Sequence, residues 1–369
     1  MKKILVTGVL GQDGANMCEF LLKDPNNRIF GMVRRVSNPN YINCEGFLDH
    51  PNFQICYGDL TDEFSLAKLV REIQPDYFIN FAANSYVACS WDMPLHVFDV
   101  NTSGVIRCLE AIKNFQPNCR FYSAGSSEEF GNVNYSPQDM NHPMKPRSPY
   151  GASKCAAHHI VKVYRESYDM FAVHGVLFNH EGTKRGEEFV TRKITKGVAK
   201  IYNRIKCVDN WRGRHGEPAK FDAIELGNLD SKRDWSDSED FVEGVWLMLN
   251  QDEPKDYLLA SGEAHSIREF VEKAFEVADF HGHWDGEGES EKYIDSGGPH
   301  KYTLVKINPD FYRPAEVDIL LGDPKKAIEE LGWKPKNSFD SLVRKMVQWD
   351  IELDREKNRA KKATEPRMG

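Results

Sequence analysis

The feature that most restricts this chain lies at its start. A short β-branched run, Ile4-Leu5-Val6, is followed by Gly8, Gly11 and Gly14, then by the helically spaced Met17, Phe20, Leu21 and Leu22. Strand, glycine turn and helix in that order put free N–H groups and the positive end of a helix dipole at one point. The missing side chains let a pyrophosphate approach the backbone there. Gln12 and Asp13 sit inside the turn. The spacing is Gly-x-x-Gly-x-x-Gly, not the Gly-x-Gly-x-x-Gly of classical dinucleotide sites. An ordinary tight turn uses glycines too, so the weight rests on the strand directly before it.

Beyond the turn, the strand–helix theme repeats. Strands are expected over residues 29–33, 53–57, 77–81, 120–123 and 173–178, with helical spacing through Val100, Val105, Leu109 and Ile112. Such alternation with short connections predicts an α/β fold, a doubly wound parallel sheet of the Rossmann type. Ligands bind outside the carboxyl ends of these strands, and polar or small residues gather at each. Arg34-Arg35 closes the second strand, where arginine suits a ribose 2′-phosphate and an acidic residue suits a free hydroxyl. Asp59 and Leu60 follow the third; Asp59 is a partner for an adenine amino group or a helix N-cap. Ala82, Ala83 and Ser85 follow the fourth, and Ser126, Glu128 and Glu129 the fifth.

At 369 residues the chain has room for a large α/β domain and a smaller C-terminal α/β lobe for substrate. The expected division is 1–180 for the dinucleotide domain, with about 228–252 returning to it, and 181–369 for the lobe. A net charge of −8 spread over both halves offers no basic face to nucleic acid. No membrane span is legible, and the apolar run before Thr7-Gly8 is too short for a signal peptide. The eight cysteines contain no C-x-x-C pair, so neither a metal site nor a disulfide framework is expected, and the cytoplasm is the expected compartment.

Chemistry enters at Pro149-Tyr150-Gly151-Ala152-Ser153-Lys154. Tyr150 and Lys154 share one face of a helix, and a fixed positive charge on the lysine lowers the phenol's pKa. A tyrosine tuned this way exchanges a proton with a sugar hydroxyl while a neighbouring cofactor handles the hydride.

Taken together these blocks resemble the extended short-chain dehydrogenase/reductase family, and within it the dehydratases of GDP-mannose, from Ile4 to about Trp349. Arg147-Ser148-Pro149-Tyr150, Leu177-Phe178-Asn179-His180-Glu181, Arg233-Asp234-Trp235 and Phe311-Tyr312-Arg313-Pro314-Ala315-Glu316 carry the resemblance with the glycine turn. It implies NADP as cofactor, held by Gly8, Gly11, Gln12, Asp13, Gly14, Arg34, Asp59, Leu60, Ala82, Ala83, Ser85, Lys154, His180 and Arg185. It implies Ser126, Glu128, Tyr150 and Lys154 as catalytic residues, with Glu128 preferred over Glu129 as the C5 base. Ser85, Asn179, Lys193, Arg233, Arg313 and Glu316 are the implied substrate contacts, and a homo-oligomer (dimer or tetramer) is the implied assembly. The implied reaction oxidises C4, eliminates water across C5 and C6, and returns the hydride to C6.

The chain departs from that pattern in places. Ser126 replaces a threonine, Tyr86 a histidine and Phe130 a tyrosine, and extra residues stand at roughly 208–222. The residues from 350 onward read as a helix end fraying into disorder. Two other functions use the same framework: a sugar-nucleotide epimerase or decarboxylase, which needs no C5 base, and a catalytically silent NADP sensor, which needs no Ser126, Glu128 or Tyr150.

Overall fold

Both faces of the first strand are buried, which explains its unbroken apolar run. Ile4 and Val6 enter one cluster with Met17, Leu21, Phe241 and Val245, while Leu5 enters a second with Phe78, Val105, Leu109 and Phe121. The computed structural model describes residues 1–206, 219–297, 300–312, 317 and 319–364. It divides into two units. Unit 1 comprises Met1–Lys184, Arg233–Ala264 and Ile319–Asn337; unit 2 comprises Arg185–Lys232, His265–Asp318 and Ser338–Gly369.

Unit 1 begins β1 (Lys2–Thr7), α1 (Gln12–Leu21), β2 (Asn27–Val33), β3 (Phe53–Tyr57), α2 (Glu63–Ile73) and β4 (Tyr77–Asn80). Two short helices, α3 (Cys89–Asp92) and α4 (Pro94–Phe98), lead through a π-turn at Asp99–Ser103 into α5 (Gly104–Phe115). Then come β5 (Arg120–Ala124), α6 (Pro149–Tyr168), β6 (Ala172–Leu177) and β7 (Asn179–Glu181). After α7 (Val190–Ile205), β8 (Ile224–Leu226) and β9 (Lys232–Arg233), unit 1 resumes with β10 (Trp235–Asp237), α8 (Ser238–Leu249) and β11 (Tyr257–Leu259). The seven-stranded sheet has the order β11-β6-β5-β4-β1-β2-β3, and every pairing in it is parallel. The strand order reverses beside β1, the place where a ligand crevice is expected.

Unit 2 is built differently. Its sheet joins β13 (Gly282–Asp285), β14 (Lys292–Asp295), β15 (Thr303–Ile307) and β8, antiparallel except for β15 with β8. Its helices are α7, α9 (Ile267–Val277, after the short β12 at His265–Ser266) and α11 (Phe339–Thr364). The two-residue β16 (Ile319–Leu320) and α10 (Lys325–Leu331) belong to unit 1.

One expectation changes here. Asp350 is no frayed helix end: it is 2% exposed, pairs with Arg192 at 2.8 Å and accepts from Thr195 Oγ1 at 2.7 Å. The sequence around it is charged, but one face of α11 packs on α7. The extra residues expected at 208–222 fall outside the described residues up to 218. Among the described residues, no helix is long and apolar enough to cross a membrane.

Candidate active site

The turn between β1 and α1 exists because three positions lack side chains. Gly8 has φ +71°, and a Cβ there would stand 2.8 Å from the Ala82 nitrogen; a Cβ on Gly14 would stand 2.4 Å from the Gly8 carbonyl oxygen. The Gly11 N–H donates to that same oxygen at 2.9 Å. No side chain caps α1, which leaves its first-turn N–H groups without a side-chain acceptor, the kind of helix start that receives an anion. Gln12 Nε2 donates to the His180 carbonyl at 2.9 Å, while Gln12 Oε1 is buried with no partner. Asp13 Oδ2 lies 3.0 Å from His180 Nε2, so two of the expected cofactor contacts hold each other.

The loop after β4 is fixed from inside. Thr7 Oγ1 donates to Asn80 Oδ1 at 2.6 Å and accepts from the Ala82 N–H at 3.0 Å. Asn101, set by the π-turn, accepts from the Asn84 N–H at 2.8 Å and donates to the Asn84 carbonyl and to Ser153 Oγ, both at 3.1 Å. It ties the Ala82-to-Ser85 loop to the tyrosine helix. Asn101 and Thr7 escape a reading of motifs: asparagine disfavours helix interiors, but no spacing announces a π-turn.

The remaining expected cofactor positions are spread over the second and third strand ends. Arg34 and Arg35 are exposed at the end of β2, lining a cavity of about 280 Å³ with Ser37, Tyr41 and Tyr57. Asp59 Oδ1 accepts from the Thr61 N–H and hydroxyl at 2.9 Å each, and the cap of α2 is Asp62. Leu60 turns its side chain into the core, and its carbonyl accepts from Arg107 at 2.9 Å.

Ser126 and Glu128 belong to a single 3₁₀ turn after β5. Ser126 Oγ accepts from the Glu128 N–H at 3.2 Å, leaving its own hydroxyl proton free to donate. The two glutamates differ completely. Glu129 is 0% exposed, whereas Glu128 is half-buried and its carboxylate makes no hydrogen bond or ion pair to a described residue.

Ser148 caps α6 by accepting from the Gly151 N–H, and Pro149 occupies its first turn. A Cβ on Gly151 would stand 2.6 Å from the Glu128 carbonyl oxygen, so glycine lets this helix press against the turn. Tyr150 and Lys154 are 7% and 6% exposed. Lys154 Nζ donates to the Ala124 carbonyl at 2.7 Å and lies 5.9 Å from the Tyr150 ring centre. Its charge is not fixed, contrary to expectation. Burial lowers its pKa to about 8, against the pull of Glu129 and Asp13.

Of the substrate candidates, Asn179 leaves Oδ1 buried without a partner, and Arg233 is buried in unit 1. Ser85 is exposed on the loop after β4. In unit 2, Lys193 Nζ sits 3.6 Å from the Phe311 ring centre, its pKa lowered by burial, and the Arg185 guanidinium stacks on Phe189 at 3.5 Å. Arg313 and Glu316 lie outside the described residues.

A family model described as GDP-mannose 4,6 dehydratase matches residues 5–346. A Drosophila melanogaster protein named GDP-mannose 4,6 dehydratase is 43% identical over 362 residues, covering 96% of this chain and 87% of its own. The Homo sapiens protein of that name is 43% identical over 362 residues, covering 95% and 92%. DesIV, a dTDP-glucose 4,6-dehydratase from Streptomyces venezuelae solved with NAD and TYD bound, superimposes with a TM-score of 0.78 at 19% identity, covering 95% and 97%. RMD from Pseudomonas aeruginosa, complexed with NADPH, gives 0.72 at 20% identity, covering 96% and 100%. The last two bear on the fold alone.

Proposed function

The chain belongs to the GDP-mannose 4,6-dehydratase family, and from that premise we propose that it converts GDP-mannose to GDP-4-dehydro-6-deoxy-mannose with NADP as resident cofactor. The observation that carries the chemistry is the unpartnered Glu128 carboxylate on a turn pressed against the Tyr150–Lys154 helix. An epimerase of this fold has no work for such a base.

The nicotinamide, when bound, supplies the acceptor for a hydride from C4 and its return to C6. The rest is done by side chains. Tyr150 takes the proton of the C4 hydroxyl, and Ser126 donates a hydrogen bond to the same oxygen. Lys154, held by the Ala124 carbonyl, stabilises the phenolate through its charge. The resulting 4-ketone acidifies C5–H. Glu128 removes that proton and delivers it to the C6 hydroxyl, which departs as water. As the hydride returns to C6, C5 takes up one proton from solvent and Tyr150 releases the proton it took from the C4 hydroxyl, so bonds and protons balance: the product is the substrate less one water.

The glycine turn, the uncapped α1 and the buried orphan acceptors Gln12 Oε1 and Asn179 Oδ1 fit a dinucleotide and a sugar. The Arg34–Arg35 cavity supports NADP over NAD, since guanidinium groups pair with a phosphate's oxygens. Asn179, Lys193, Arg233, Arg313 and Glu316 remain the proposed substrate contacts. The seven described cysteines are free thiols, which suits the cytoplasm. The exposed segment from Arg35 to Asn40 suits a homo-oligomer, which sedimentation measures.

Mass spectrometry of GDP-mannose incubated with the protein and NADP+ tests the reading. Loss of one water supports it, and an isomer of unchanged mass overturns it.

A further inference from the structure

Behind the turn that carries Ser126 and Glu128 lies a set of buried charges that the reaction above does not use. Every oxygen of Glu129 is committed. Oε1 accepts from the Ser126 N–H at 2.7 Å and from His174 Nε2 at 3.1 Å, and Oε2 accepts from His158 Nδ1 at 3.0 Å. The two imidazoles stack with ring centres 4.5 Å apart. Asp256 completes the set: it faces His158 Nε2 at 3.5 Å, takes two bonds of 2.7 Å from Arg165, and accepts the His174 N–H at 2.7 Å. Glu129, His158 and His174 put three potential metal-ligand atoms within 4.8 Å of one another, and the carboxylate already accepts a hydrogen bond from each imidazole.

The set also fills the space behind Gly125. A Cβ there would stand 2.2 Å from His174 Nε2 and 2.7 Å from Glu129 Oε1. Burial opposes the Glu129 charge, but the imidazoles outweigh it and hold the carboxyl well below the usual carboxylate range. Burial also works against a charge on His158, yet Asp256 and Glu129 lift it to about 9, so the positive charge sits there. His174 is kept neutral by burial and donates through Nε2, leaving Nδ1 buried without a partner.

A cluster of this kind is a poor way to gain stability, because apolar packing of equal volume usually does as well or better. What it provides is geometry. Glu129 holds the Ser126 amide, Ser126 Oγ holds the Glu128 amide, and the Glu128 carbonyl lies against Gly151 of the tyrosine helix. A shift of Ser126 therefore passes directly to Glu128.

We infer that Glu129 is a positioning residue for the dehydration: its buried carboxylate, locked by His158 and His174, sets where Ser126 Oγ and the Glu128 carboxylate meet the sugar. This rests on the roles given above to Ser126 and Glu128.

Steady-state kinetics on GDP-mannose tests it. Glu129→Leu, which removes the acceptor of the Ser126 N–H, lowers kcat about 10- to 100-fold while KM stays within about threefold. Glu129→Gln keeps an acceptor for that amide and a donor for a neutral His158, and brings kcat back to within about threefold of wild type. If the leucine variant does not fold, Glu129→Asp serves. It keeps the charge but withdraws the carboxylate by about 1.5 Å, lowering kcat about tenfold at constant KM. Wild-type kcat in Glu129→Leu or Glu129→Asp overturns the inference. So does a glutamine variant as impaired as the leucine one, because the amide anchor would then be irrelevant. Full dehydration by Glu128→Gln would instead overturn the reading of the site itself.

Discussion

Two turns at the carboxyl ends of unit 1 strands belong to the same proposed site and are built in opposite ways. The β1–α1 turn is shaped by what it lacks: Gly8, Gly11 and Gly14 leave backbone where other residues would leave side chains. The turn after β5 is shaped by what stands behind it. His174 and Glu129, themselves held by His158, Asp256 and Arg165, stand so close that Gly125 has no room for a Cβ. The first leaves backbone open at a helix start, and the second locks the turn that carries Ser126 and Glu128.

The contrast is sharpest in a matched pair of substitutions. Gly14→Ala drives a Cβ into the Gly8 carbonyl and spoils the anion seat. Its largest effect is on cofactor affinity, lowered at least about a hundredfold in a titration with NADP+, roughly 3 kcal/mol. Gly125→Ala pushes against the Glu129–His174 bond, and its effect is on stability, a loss of about 2–3 kcal/mol in urea unfolding. If both variants lose binding and neither loses stability, the two turns are not different in kind.

A pH series probes the buried set directly. His158 has a pKa raised from 6.5 to about 9 in the folded chain, so its stabilisation is complete below about 6.5 and is lost as pH rises through about 9. Unfolding free energy should fall by about 3 kcal/mol across that window, and His158→Gln should flatten the fall. A wild-type profile that is already flat would mean the imidazole carries no charge.

A second pH dependence concerns Lys154. Its pKa lies near 8, lowered by burial, so kcat/KM should decline about tenfold per pH unit above about 8, where the ammonium that supports Tyr150 is lost. A constant kcat/KM up to pH 10 would show that this charge is not required.

The same contrast explains what could be read in the linear chain. A glycine turn is local: strand, three glycines and helix are contiguous, and the spacing alone points to an anion site. The same holds for Tyr150 and Lys154, one helical turn apart, and for the apolar strands that build the parallel sheet. The buried set is not local. Glu129 stands out from the segment only as one more carboxylate; its imidazole partners arrive from α6 and β6, and Asp256, which faces His158, from the edge before β11. Asn101 was hidden for a related reason, since its reach depends on a π-turn in what reads as ordinary helix. Asp350 looked like part of a solvated tail until Arg192 and Thr195 met it from α7. Local geometry was legible; charges paired over long sequence separations were not.

The central claim is that Glu128, free on its turn, makes this fold a dehydratase, while Glu129, locked behind it, cannot act as the base. Solvent exchange at C5 tests that directly. In D2O with GDP-mannose and NADP+, the wild-type protein should give a product lighter by one water and carrying deuterium at C5. Glu128→Gln should give neither the water loss nor the label, while still oxidising C4 enough to show reduced cofactor by absorbance. Water loss and C5 labelling at wild-type rates in Glu128→Gln would contradict the account.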